Sequence, residues 1–292
     1  MLLSFGGTLF AKPLVTCSVE PLSLIAREIC ADACDVLTLV PRGVSEHGWQ
    51  PGPKDIVKAK TAVASVAVGL NFDELWLKKL DVAPKTVLWL GESLSPMSWW
   101  SDDMTGHSGV HHDHDSDGKG VEPQKHSPND PHVWVDAGRM AKASELISAH
   151  FGQIMPDQAT QFRARGQIIS VRLTNLQLDV DKRRKTWRVR PVVMFHDVAG
   201  YFARRFDLPV LSVSSGGAGH DLSARMIANV ANRFKSASVA AVMVERQDGA
   251  AKSLARELRT SVKIVDFAAA KSYAKWDDWY QHVVTSWEDV LK

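Results

Sequence analysis

The sequence predicts an α/β protein of two doubly wound lobes, each with a parallel sheet, joined by one long helix. Eight short runs of aliphatic and β-branched residues alternate with amphipathic stretches of helical period, a pattern typical of parallel sheets covered by helices on both faces. Residues 157–186 keep helical spacing without a strand and divide the eight runs into four and four. The 292 residues are enough for two lobes with separate cores.

Each predicted element follows from its local pattern. The predicted strands are residues 14–19, 35–40, 62–69 and 86–91 before the long helix and 192–196, 209–214, 239–245 and 262–267 after it. The predicted shorter helices are 21–30, 72–80, 198–206, 221–235 and 248–259. In the long helix the apolar positions are Phe162, Ile169, Leu173, Leu176 and Val180.

These elements predict a division of the chain into lobes. An N-terminal α/β lobe is expected at 12–155, a linking helix at 156–187 and a C-terminal α/β lobe at 188–292. Within the first lobe, residues 101–131 are rich in Asp, His, Gly and Ser and have almost no aliphatic side chains. We therefore expect a long surface loop there.

Composition narrows the class of protein. The net charge of +2, from 35 basic and 33 acidic residues, is too balanced to favour nucleic acid as a partner. No apolar run approaches the roughly 18 residues that cross a membrane. Residues 1–11 are apolar and small and end at Ala11, like a secretory signal remnant, although the usual basic start is missing. The alternative for this stretch is a short buried strand.

The sequence predicts different roles for the three cysteines. Cys30 and Cys34 lie four residues apart at the end of a predicted helix, and they could form a disulfide in an oxidising compartment. Cys17 lies in an apolar run and is expected to be a buried small side chain.

Three histidines and an aspartate lie where predicted strands or rigid turns end. His47 follows a strand and is flanked by prolines and glycines, His132 lies between Pro131 and a helix start, and His196 and Asp266 end apolar runs. Open α/β sheets bind ligands at the carboxyl ends of their strands. Each residue also has a simpler interpretation without a ligand. His47 could be an exposed loop histidine, His132 part of a turn, and Asp266 a helix cap. For His196, Asp197 could be the carboxylate that orients the ring.

Together these four side chains predict a metal site between the lobes, because each lobe supplies two of them. Zinc takes four ligands in a tetrahedron, and imidazole and carboxylate both suit it. Three nitrogens and one oxygen favour Zn²⁺ over manganese or magnesium, which prefer oxygen.

At this point the chain resembles the zinc and manganese substrate-binding proteins of ABC importers, the ZnuA-like cluster A-I family. The resemblance rests on "TLVPRGVSEHGWQPGPKD", "VGLNFDELWLKKL", "DPHVWVD", "VVMFHDVAGYFARRFDL" and "VKIVDF", in the family's order and with a long helix between them. It implies His47, His132, His196 and Asp266 as the ligands of one metal. Histidine at the third position resembles the zinc branch, whereas glutamate there would resemble the manganese branch.

Two features bear on the implied ligands. The last motif in the family usually continues Asp-Pro-Leu-Gly, but here it reads "VDFAAAKSY", so Glu46 or a water is an alternative fourth ligand. The loop also resembles the zinc branch, and it could capture zinc weakly through an auxiliary group of His107, His111, His112, His114 and His126. The alternative is a solvated spacer.

The resemblance implies a periplasmic, monomeric zinc receptor that delivers zinc to a membrane permease, with a periplasmic zinc chaperone as a further partner. It implies no enzyme activity. The alternatives are a manganese receptor of the same family and, in a different class, a zinc-dependent hydrolase. The sequence has no HExxH, GxSxG or paired catalytic carboxylate motif, and four protein ligands would leave no position for a substrate.

Overall fold

The computed structural model describes residues 11–47, 49–80, 86–98, 129–213 and 223–292. Its strands form two parallel four-stranded sheets, with strand orders β2-β1-β3-β4 and β6-β5-β7-β8. A helical segment of 31 residues joins the two lobes. The predicted fold class is therefore confirmed.

The first sheet and its helices make up the N-terminal lobe. Its elements are β1 (Leu14–Cys17), α1 (Glu20–Cys30), β2 (Asp35–Thr38), α2 (Pro53–Ala59), β3 (Ala62–Ala67), α3 (Glu74–Lys79), β4 (Val87–Trp89) and α4 (Ala137–Ile154). Asp136 caps α4 by accepting a hydrogen bond from the backbone N–H of Arg139, as its position before the helix predicts.

The second sheet and its helices follow the linking helix α5 (Ala159–Arg183), which has a short 3-10 turn at each end. Its elements are β5 (Val192–Met194), α6 (Gly200–Arg205), β6 (Val210–Ser212), α7 (Ala224–Phe234), β7 (Ala241–Val244), α8 (Gly249–Glu257), β8 (Ser261–Ile264) and α9 (Trp276–Leu291). The lobe boundaries on either side of residues 156–187 stay a prediction. Helix α9 of the second lobe packs against α1 of the first lobe and against the linking helix α5.

The apolar core continues from one lobe into the other. Side chains of β1, α1, α4, α5, α6 and α9 belong to one buried cluster, and a smaller cluster lies under α7 and α8. Trp134 of the first lobe donates its indole N–H to the backbone oxygen of Phe267 in the second, at 3.2 Å. Helix α9 of the second lobe also packs against α1 of the first. The lobes therefore share buried surface instead of meeting only at a hinge.

Two further features concern the cysteines and membrane spans. Cys30 and Cys34 are joined by a disulfide at the end of α1, and Cys17 is buried and unpaired. Within the described ranges, no helix is both long and apolar enough to cross a membrane.

Candidate metal centre

Three imidazole rings converge between the lobes. The Nε2 atom of His47 lies 3.1 Å from Nε2 of His132 and 2.9 Å from Nε2 of His196. All three pairs of rings meet edge to face, with centroids 4.9 to 5.2 Å apart. Nitrogen atoms from positions 85 and 149 residues apart in the chain thus face one point.

The carboxyl ends of the strands bring these rings together. His47 lies in the loop after β2. The first two residues of that loop, Leu39 and Val40, donate backbone hydrogen bonds to the end of β1 and the residue after it. His132 precedes a buried 3-10 turn at Val133–Val135 that leads into α4, and His196 lies two residues beyond β5. This is the edge at which parallel α/β sheets hold ligands.

Glu46 supplies a carboxylate to the same group. One of its oxygens lies within 4.8 Å of the nitrogens of His47, His132 and His196, and Oε1 is 3.9 Å from Nε2 of His132. The side chain is buried, and Oε1 has no hydrogen-bond partner among the described residues. Burial, followed by the charge of Glu245, raises the pKa of Glu46 to about 7. A buried oxygen without a partner is costly unless a cation occupies the site.

Asp130 orients the ring of His132. Its Oδ1 accepts a hydrogen bond from Nδ1 of His132 at 2.7 Å and another from the backbone N–H of the same residue at 2.9 Å. With the proton on Nδ1, the lone pair of Nε2 faces the centre of the group. Burial, followed by the charge of His196, holds the pKa of His132 well below its usual range, so this ring stays neutral.

Glu245 orients the ring of His196. Its Oε2 accepts a hydrogen bond from Nδ1 of His196 at 2.8 Å. Burial alone would lower the pKa of His196, but the hydrogen bond and charge of Glu245 outweigh it and raise the pKa to about 9. Without a metal, this imidazole is therefore protonated on both nitrogens and positively charged at neutral pH.

The geometry of the group fits a small tetrahedral cation. Zn–N bonds of about 2.0–2.1 Å in a tetrahedron place neighbouring nitrogens about 3.3 Å apart, close to the 2.9 and 3.1 Å between the Nε2 atoms. Two of the rings present Nε2 inward and have a carboxylate on Nδ1, the arrangement typical of metal-binding histidines.

Comparison with known proteins agrees with this geometry. A family model described as "ZnuA: Zinc-uptake complex component A periplasmic" matches residues 15–290. The chain belongs to this family. The resemblance stated from the sequence motifs is thus confirmed.

Individual members of the ZnuA family share about a quarter of their aligned residues with this chain. A "High-affinity zinc uptake system protein ZnuA" of Yersinia pestis is 26% identical over 208 residues, covering 69% of this chain and 65% of the relative. A "Zinc-binding protein AdcA" of Streptococcus pyogenes serotype M3 is 26% identical over 259 residues, covering 84% of this chain and 48% of the relative. The chain thus spans less than two thirds of the length of these relatives.

A solved structure shows the same fold. The crystal structure of a ZnuA has a TM-score of 0.75 with this chain at 20% identity, covering 96% of this chain and 98% of the other. The likeness extends over both lobes and the linking helix.

Asp266 is not part of the group formed by the ligand atoms of the described residues. Its Oδ1 accepts a hydrogen bond from the N–H of Ala270, and its Oδ2 accepts hydrogen bonds from the N–H of Lys271 and the hydroxyl of Tyr273. The carboxylate thus holds the turn after β8. Asp266 still lines a cavity of about 180 Å³ together with Glu46 and Glu245.

The auxiliary histidines lie outside the described residues. These are His107, His111, His112, His114 and His126, together with most of the predicted loop. The predicted signal remnant also lies outside, apart from Ala11. Both stay predictions.

The sequence reasoning missed Asp130 and misassigned the carboxylate at His196. That carboxylate is Glu245, and not Asp197 as expected. Strand pairing explains why, since Met194 of β5 is in register with Met243 of β7, and two residues further along each strand stand His196 and Glu245. For Asp130, the available signal was its position two residues before a histidine, where an Asp side chain readily bonds the backbone N–H that follows.

Proposed function

We propose that the protein is a zinc-binding receptor of an ABC importer, which captures Zn²⁺ between its lobes and delivers it to a membrane permease. The observation that carries the proposal is the convergence of three Nε2 atoms beside the unpartnered carboxylate oxygen of Glu46. The names of the relatives, which refer to zinc uptake and zinc binding, support it.

The donor set supports zinc as the ion. We propose His47, His132, His196 and Glu46 as the ligands, with Asp266 outside the coordination sphere. Three imidazole nitrogens and one oxygen suit zinc, whereas a manganese receptor would be expected to offer more oxygen donors. Four protein ligands leave no position for a catalytic water, so we propose a receptor and not a hydrolase.

The family description supports a location outside the cytoplasm. We propose that residues 1–11 are the remnant of a signal peptide and that the mature protein is a periplasmic monomer. The membrane permease is the proposed acceptor of the ion, and a periplasmic zinc chaperone is a further proposed partner. The histidine-rich loop is proposed as an auxiliary, weaker zinc site.

Calorimetric titration with zinc tests the function. The intact protein is expected to show one tight site and weaker ones, and a form lacking residues 101–126 is expected to keep only the tight site. Manganese titrated into the same two forms is expected to bind more weakly at the tight site. If deleting the loop removed the tight site, or if manganese bound more tightly than zinc, the proposed site or its ion would be wrong.

Zinc affinity is expected to rise with pH. The pKa of His196 is raised to about 9, so below that pH zinc must displace a proton from its Nε2. The affinity should therefore fall about tenfold for each unit between pH 9 and 7. Below about 7 it should fall more steeply, because Glu46, with a pKa of about 7, must also lose a proton. Competition with a chromophoric chelator across this range measures the slope.

A matched variant isolates the cause of this pH dependence. Glu245→Gln removes the carboxylate that raises the pKa of His196, so the slope between pH 9 and 7 should flatten. A wild-type affinity that is constant from pH 7 to 8.5 would contradict the protonated state assigned to His196.

A further inference from the structure

Residues of the C-terminal lobe hold the carboxylate that orients a ligand of the N-terminal lobe. The hydroxyl of Tyr201 on α6 donates a hydrogen bond to the backbone oxygen of Asp130 at 2.7 Å. The same hydroxyl accepts a hydrogen bond from the backbone N–H of Met97 at 3.0 Å. Since the N–H of Asp130 also donates to the backbone oxygen of Met97, at 2.8 Å, these three residues form a closed set of hydrogen bonds across the lobes.

The residue before Tyr201 contacts the side chain of Asp130. A methyl group added at Gly200 would overlap Oδ2 of Asp130, so the backbone of α6 lies directly against this oxygen. The other oxygen, Oδ1, holds the Nδ1 proton of His132. Only glycine leaves room for the carboxylate in this position.

The environment of Tyr201 keeps its hydroxyl a donor and its ring in place. The side chain is fully buried, and burial raises the pKa of Tyr201 to about 12, so the phenol remains protonated. The guanidinium of Arg139 lies 4.5 Å from the ring centre, and Arg139 also pairs with Asp136 at the start of α4. Tyr201 is thus fixed to the segment that follows His132.

His196 belongs to the same C-terminal segment as these contacts. Only three residues separate it from Gly200, in the connection between β5 and α6. A displacement of residues 196–201 relative to the first lobe would therefore move the ring of His196 and release Asp130 at the same time.

We propose that Gly200 and Tyr201 are positioning residues of the metal site, which hold Asp130, and through it the ring of His132, in place opposite His196. On this basis, a partner that shifts α6 weakens two of the zinc ligands with one movement. The inference rests on the proposed function only for its effect on zinc, because the orientation of His132 can be measured in the metal-free protein.

The test compares Tyr201→Phe and Gly200→Ala with Tyr280→Phe as a matched control. Tyr280 is also a fully buried tyrosine of the second lobe, but its hydroxyl lies near the backbone of Ala137 and not at Asp130. Nitrogen-15 NMR of the histidine rings reports the Nδ1 protons in metal-free protein. Stopped-flow chelation reports zinc dissociation from loaded protein.

In both test variants, the Nδ1 proton of His132 is expected to exchange faster with water while that of His196 keeps its wild-type rate. Zinc dissociation should become about tenfold faster, the effect of losing roughly one buried hydrogen bond from the ligand's support. The control should stay within about twofold for both measurements, even if its melting temperature falls.

The inference is overturned if Tyr201→Phe lowers the melting temperature as the control does but leaves the His132 signal and zinc dissociation at wild-type values. Tyr201→Phe decides the matter alone if Gly200→Ala does not fold. If the wild-type protein binds no zinc tightly, the proposed function fails, but the His132 signal in the metal-free variants still decides whether these residues position the ring.

Discussion

Replacing His196 with alanine is expected to weaken zinc binding by at least about a hundredfold. Tight protein zinc sites have apparent binding free energies of about 10–16 kcal/mol, or about 3 kcal/mol for each of four ligands, and 1.4 kcal/mol corresponds to a factor of ten. The variant should also be less stable, because Glu245 would be left without the hydrogen bond from Nδ1. Isothermal calorimetry with a competing chelator measures the change.

His150→Ala is the matched control for this substitution. His150 is part-buried on α4, and its Nε2 contacts the backbone oxygen of Thr86 at 3.1 Å, outside the candidate metal centre. Its replacement removes an imidazole that is less buried than His196 and lies outside the site, and it should leave zinc affinity within about threefold. Equal losses in the two variants would show that zinc affinity follows general stability, and the assignment of His196 as a ligand would be wrong.

Substitution of Glu46, the proposed fourth ligand, is also expected to have a large effect on zinc binding. Glu46→Gln is expected to weaken zinc binding by about ten- to a hundredfold, because it replaces the buried anionic oxygen that faces the three imidazoles with a neutral one. Asp266→Asn should change zinc affinity by less than about threefold. It should instead lower the melting temperature, because Asp266 accepts three hydrogen bonds within the turn after β8.

The same titration, with a melting curve for each variant, separates the two carboxylates. A loss of zinc affinity in Asp266→Asn with no loss in Glu46→Gln would reverse the assignment and return Asp266 to the coordination sphere. X-ray absorption of the zinc-loaded variants reports the total number of nitrogen and oxygen donors and the number of imidazole rings around the zinc.

The fold could be predicted to a large extent because its signals are local. Each buried strand is a short aliphatic run, and the spacing of Phe162, Ile169 and Leu173 marks the buried side of α5. The strand ends were less predictable. The sequence predicts a strand over all of 192–196, but the strand ends at Met194, because the next residues leave the sheet to form the site.

The candidate site was predictable where residue type and position coincide. His47, His132 and His196 follow strands or rigid turns, and the structure brings all three together. The partners of these rings depend on contacts between distant segments. Glu245 reaches His196 through the pairing of β5 with β7, and Tyr201 reaches Asp130 across 71 positions of chain. No local pattern in one sequence contains such pairs.

The apolar cluster that runs through both lobes limits how the molecule can signal that it carries an ion. Pulling the lobes apart would break the contacts of α9 with α1 and of Trp134 with Phe267, and each large apolar side chain that they bury costs at least about 2 kcal/mol to bring into water. Loaded and empty molecules should therefore have nearly the same outline. A recipient that accepts only loaded molecules would then have to recognise the local charge, where a divalent ion replaces protons on buried groups.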